Sequence, residues 1–283
     1  GSRAQASAIE ASIKHSTKKY VDKRGKTTVR EYLYDKFLPK YDGQHATQYG
    51  YELAARKVCA HIGNKRIEEL TPYIVETMIG EYTSDGTKLN IYKMLSVAIK
   101  EAYRLGMVED DVMLRVKRPK KKQPKEIEVL DVPDVQKIIK YAEHELCGAA
   151  FLVMVCAGLR NEEACGLMWT DIDLHDDGGI IHVRRTSTCV AGKRYIGNTK
   201  TVLSKRDVPI PADVVSILKR IRDKQPILDF VASRGNGTVI ATDVLHDYWV
   251  SFKNKYNLPN IPAKNLRHTY ATHLIEAGVD IAV

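Results

Sequence analysis

Residues 157–173 read AGLRNEEACGLMWTDID, and the placement of one arginine in this run decides how the rest of the chain must be arranged. Immediately upstream, CGAAFLVMVCAGL from Cys147 to Leu159 is apolar on nearly all sides, the pattern of a helix buried at the centre of a domain. It is too short for a bilayer, which takes about 20 apolar residues. Arg160 follows directly. A guanidinium at the edge of such a core is costly unless it is paired or holds an anion. The plain partners are Glu163 and Glu162, and taken alone Arg160 reads as half of a salt bridge.

Outward from this point the pattern is mixed. Before it, VPDVQKIIKYAEHE is an amphipathic helix. After it, Asp171 to Arg206 has strand character: GGIIHVRRTST alternates, and KRYIGNTKTVLSKRDVPIP reads as a hairpin. Helices return in ADVVSILKRIRDK, where Val214, Ile217, Leu218 and Ile221 recur at helical spacing, then near 243–256 and 264–277. Residues 126–283 therefore form one α/β domain.

The first part differs. Residues 1–27 are polar and basic with no apolar period, a loose arm. From 28 to 114 four helices are expected. The first carries Val29, Tyr32, Leu33 and Phe37 on one face. The second, 47–62, has Leu53, Ala54, Val58 and Ile62 in register and stops at Gly63-Asn64. The third opens with Thr71 as cap and Pro72 at its first position. The fourth, 87–105, carries Leu89, Ile91, Leu95, Ile99 and Tyr103 and stops at Gly106. The fold class is mainly α with a small β-sheet, an all-α bundle followed by the α/β domain.

Between them RVKRPKKKQPK, residues 115–125, carries seven positive charges and no negative one: Arg115, Lys117, Arg118, Lys120, Lys121, Lys122 and Lys125. Charge runs are usually solvated linkers, but Pro119 and Pro124 favour an extended backbone, and an extended cationic strap suits a phosphate backbone. The net charge of +9 points the same way. Five scattered cysteines with no CxxC pair argue against a disulfide framework or a zinc site and for a reducing compartment; no apolar leader opens the chain.

Three runs in order, AGLRNEEACGLMWTDID, TKTVLSKRDVPIP (199–211) and KNLRHTYATHLIEAGVDI (264–281), resemble the catalytic domain of tyrosine recombinases, particularly integrases of phages and conjugative transposons. The likeness spans about 28–283, with the helical bundle in the place of the family's core-binding domain. It implies a site-specific recombinase that clamps duplex DNA between the two domains. A tyrosine attacks a phosphodiester to give a 3′-phosphotyrosine and a free 5′-hydroxyl, so neither metal nor nucleotide cofactor is needed. By resemblance Arg160 and Arg267 hold the phosphate, Lys200 protonates the leaving 5′-oxygen, and His268 is structural. Lys264 stands where the family usually has a histidine; it can donate a hydrogen bond but is a poor base near neutral pH. Beyond AGVDI the family continues into a helix pair bearing the nucleophilic tyrosine, which the sequence to Val283 does not contain. Tyr270 reads as a core aromatic, so these 283 residues are expected to bind DNA without cutting it. Expected partners are double-stranded DNA, further copies in a dimer or tetramer on DNA, and an accessory directionality factor, in a bacterial cytoplasm at the nucleoid. The rival readings are a non-catalytic architectural DNA-binding protein and a type IB topoisomerase, which shares the cationic constellation; relaxation of supercoils without a specific site would favour the latter.

Overall fold

The structure, a computed structural model, describes residues 27–121, 126–198, 205–224, 229–234 and 238–279. The chain divides into two units, Gly1–Pro124 and Lys125–Val283.

In the first unit α1 (Val29–Glu31) starts on a reciprocal cap. The Thr28 hydroxyl accepts the Glu31 N–H at 3.2 Å and the Glu31 carboxylate accepts the Thr28 N–H at 2.8 Å. The helix widens into π-helical turns over Tyr32–Phe37 and closes as a 3₁₀ turn, Leu38–Lys40, containing Pro39. Val29, Tyr32, Leu33 and Phe37 are all buried, and the Tyr32 hydroxyl donates to the Ala98 carbonyl at 2.6 Å. Next come α2 (His45–Ile62), α3 (Pro72–Gly80) and α4 (Asp85–Arg104). Thr71 caps α3 through the Ile74 N–H with Pro72 in the first position, and Ser84 caps α4 through the Thr87 N–H. Two sequence assignments are corrected. Leu53 is 37% exposed while Ala55 and Cys59 take the buried stripe of α2, and Tyr103 is 52% exposed at the end of α4, where Ala102 faces inward instead. Small residues there let α2 and α4 approach closely, and a bulkier side chain would be displaced outward.

The chain leaves this unit still attached to it. Val116 is buried in the same core as Val112 and Met113, and the Lys117 N–H donates to the Glu76 carboxylate at 2.7 Å.

The second unit is built on α6 (Gly148–Ala157), whose residues are buried on nearly every side. Around it pack α5 (Val132–Tyr141), the short α7 (Asn161–Gly166), α8 (Ala212–Lys224), α9 (Thr242–Lys255) and α10 (Asn265–Glu276). Phe151 of α6 meets Trp249 and Phe252 of α9 edge to face, at 5.2 and 5.4 Å between ring centres, and the Trp249 N–H donates to the Ile261 carbonyl at 2.8 Å. Burying one such side chain contributes roughly 1.5–3 kcal/mol, so this aromatic group alone fixes α9 against α6.

Two small antiparallel sheets lie beside the helices. One orders β1 (Ile172–Leu174), β2 (Gly179–Val183) and β5 (Arg206–Ile210); the other pairs β3 (Arg185–Val190) with β4 (Lys193–Asn198). This corrects the expected hairpin over 193–211. The hairpin is β3–β4, turning through Ala191 and Gly192 with φ of 50° and 76°, while β5 pairs with β2 in the register Val183↔Arg206 to Gly179↔Ile210. A two-residue turn with both φ positive twists as its strands do, and Ala-Gly is a weak sequence signal for it.

Candidate active site

The site forms where α6 ends. Gly158 takes a left-handed conformation, φ 64°, that terminates α6, and it lies against the Tyr270 ring so closely that a Cβ would collide with it. The chain then reverses through the buried Leu159, and Arg160 caps α7 in extended conformation.

Glu163, one turn into α7, is 3% exposed and takes four hydrogen bonds among the described residues. Its Oε2 accepts the Arg160 backbone N–H at 2.9 Å, and its Oε1 accepts the Arg160 guanidinium at 2.8 Å. The Arg206 fork, arriving from the first residue of β5, donates to the same oxygens at 3.1 and 2.9 Å. Burial pushes the Glu163 carboxyl upward, but the Arg206 fork, the Arg160 N–H and the Arg160 guanidinium outweigh it and hold the group below the usual carboxylate value. Despite its pair, Arg160 keeps a side chain 52% exposed.

Arg267 is the third residue of α10. It donates to the Gly158 carbonyl, so the same glycine that ends α6 also fixes this guanidinium. Burial lowers its pKa from the ordinary arginine value, and repulsion from Arg160 and Arg206 lowers it further. Two guanidiniums thus converge on one buried carboxylate, and Arg267 stands near enough to be repelled by both, an arrangement suited to holding an anion. Tyr270, one turn along α10, is half-buried beside them, and burial raises its phenol pKa, the opposite of activation.

Of the sequence-identified residues the fold brings Arg160 and Arg267 together. Lys264 lies in the turn before α10, exposed and without an ion pair among the described residues. His268 is exposed too, with no side-chain hydrogen bond among the described residues. Lys200, Lys122 and Lys125 lie outside the described residues. Lys117, Arg118, Lys120 and Lys121 are exposed on the first unit, whereas Arg115 pairs with Asp110. Sequence reasoning missed Arg206. Between Lys205 and Asp207 it looks like surface charge, and its alternation with the buried Val208 and Ile210 was the available signal for a strand that could aim it inward.

Comparison with known proteins accords with this architecture. The model of the Phage integrase family matches residues 128–283. A tyrosine recombinase XerC-like protein of Caldanaerobacter subterraneus subsp. tengcongensis is 31% identical over 188 residues, which are 58% of this chain and 47% of that protein. Tyrosine recombinase XerA of Pyrococcus horikoshii is 24% identical over 263 residues, covering 92% of this chain and 78% of that one. The chain therefore spans about half the length of the first relative and most of the second. Among solved structures, the Tn1549 transposon integrase in complex with a circular intermediate DNA superposes with a TM-score of 0.75 at 17% identity, over 90% of this chain and 89% of that one. A lambda integrase tetramer bound to a Holliday junction gives 0.67 at 18% identity, over 98% and 84%. At such identities the structures speak for the fold, and the family match over more than half of the chain speaks for descent: the chain belongs to the phage integrase family, the tyrosine recombinases.

Proposed function

We propose that the protein is a site-specific recombinase of a mobile element, and that these 283 residues bind DNA and activate its phosphate. The observation that carries this is the pair of guanidiniums from Arg160 and Arg206 on a single buried carboxylate, with Arg267 fixed nearby by the Gly158 carbonyl and Arg160 open to solvent. Attack on a phosphodiester raises the negative charge on the non-bridging oxygens, and fixed cations that need no reorganisation stabilise that state more than the ground state. Arginines stay charged at every working pH, so their contribution does not depend on a proton. In this reading a tyrosine hydroxyl gives up its proton to solvent as its oxygen bonds to phosphorus, the bond to the 5′-oxygen breaks, and Lys200 gives that oxygen its proton. Lys264 donates to the phosphate rather than acting as a base. Double-stranded DNA is the substrate, held also by the cations of 115–125, and copies of the protein assemble on it as a dimer or tetramer, with an accessory factor setting direction. The setting is the bacterial cytoplasm. That homologous folds were solved on DNA, one as a tetramer, supports the partner assignment.

For these 283 residues alone the expectation is duplex binding without a covalent adduct. Tyr270, the tyrosine nearest the motif, has its ring against Gly158 and a phenol made less acidic by burial. Incubation with a nicked duplex that traps phosphotyrosine, followed by denaturing electrophoresis, should give no shifted band; a covalent band would overturn this part of the reading. In a version extended through the family's downstream helices, Arg160→Ala should abolish the band while duplex affinity stays within a few-fold, because most phosphate contacts lie elsewhere.

A further inference from the structure

The two arginines of the family motif do not hold themselves in place. Arg160 leans on Glu163, and Glu163 is held from its other side by a residue of the sheet. We propose that Arg206 is a positioning residue of the phosphate site, acting through Glu163 to fix the Arg160 guanidinium; this rests on the reading of the site as a phosphate site.

Three observations converge on it. The carboxylate is buried, so its direction is set by its partners, and the Arg206 fork occupies both oxygens while Arg160 reaches only one of them with its side chain. Planar fork-to-carboxylate contact fixes orientation as well as distance. Arg206 is itself anchored at both ends. Its backbone is in register with Val183, and its carbonyl accepts from the Arg184 guanidinium at 3.2 Å. Finally, Arg206 lies close enough to Arg267 to repel it, so its side chain stands beside both motif arginines. The alternative, that Arg206 serves only to stitch β5 to α7, predicts a loss of stability and no specific loss of anion binding.

The test uses the 283-residue chain and inorganic phosphate, with the arginine Nε–Hε resonances followed by NMR. The native chain should show saturable shifts at Arg160 and Arg267. Arg206→Ala should weaken phosphate binding about tenfold, the scale of one charge-assisted hydrogen bond. Arg206→Lys, which keeps the charge and disturbs folding less, cannot fork the carboxylate and should lose most of the same affinity. Millimolar guanidinium should restore the Ala variant where ammonium does not. Phosphate binding by Arg206→Lys equal to the native chain overturns the inference, as does equal restoration by both ions. Should Arg160→Ala and Arg267→Ala leave phosphate binding unchanged, the phosphate-site reading itself fails. If those two weaken binding and Arg206→Ala does not, only the present inference falls.

Discussion

At the scale of single residues, the site depends on a glycine as much as on its charges. Gly158 ends α6, gives its carbonyl to Arg267 and leaves room for the Tyr270 ring. Gly158→Ala meets two separate penalties. A left-handed φ costs a non-glycine residue roughly 1–2 kcal/mol, and displacing the ring adds overpacking of about 1–3 kcal/mol. We expect a loss of about 2–5 kcal/mol in urea unfolding, of which Tyr270→Ala in the same chain recovers only the packing share. The arginines themselves were legible in the sequence because Arg160 follows an apolar run and the motifs around both, GLRNEEACGL and LRHTYATHL, resemble those of a known family. Arg206 was not. Nothing in a strand's sequence says which cross-strand or helical carboxylate its side chain will meet, since that depends on how β5 docks.

Among elements, the helices were readable and the strand pairing was not. Helical periodicity places Val214, Ile217, Leu218 and Ile221 on the buried face of α8, as the spacing implied, because a helix decides its own inner face. A strand needs a partner to be defined, and alternation in 193–211 is equally compatible with pairing forward or back. The observed β1–β2–β5 sheet carries its own ionic fastening. His182 lies between Asp173 of β1 and Asp207 of β5, each at 2.9 Å, and Arg184 also donates to Asp207 at 2.6 Å. The hydrogen bonds to Asp173 and Asp207 raise the His182 pKa above its ordinary value. Because the folded value is raised, the stabilising effect is full below the unfolded histidine pKa, about 6.5, and fades as pH climbs through the folded one. Exposure of both carboxylates keeps it small. Thermal melts of the native chain and His182→Gln should therefore differ most below about pH 6.5 and converge as pH rises through the elevated folded value. A gap that widened with pH would show that the imidazole is neutral in the fold.

For the molecule as a whole, the basic segment should dominate the salt response. Lys117, Arg118, Lys120 and Lys121 are exposed, and none is paired among the described residues. Replacing Lys120, Lys121 and Lys122 with glutamine should weaken binding to all duplexes alike and flatten the log–log salt slope by up to about 0.9 per lost phosphate contact. An unchanged slope would make the segment a connector only. Where this segment enters the second unit, the Leu130 N–H donates to the buried Thr269 hydroxyl at 3.1 Å, that hydroxyl donates to the Asn265 carbonyl at 2.9 Å, and the Asn265 side chain donates to the Glu128 carbonyl at 2.8 Å. Both attachment points flank Arg267 on the first turns of α10. In mechanical terms this is a rivet: a pull on the chain upstream of Glu128 is borne by that helix before any strand feels it. The entry of the chain is thereby fastened to the turn that carries one of the two motif arginines, while Arg160 is braced from the sheet by way of Glu163.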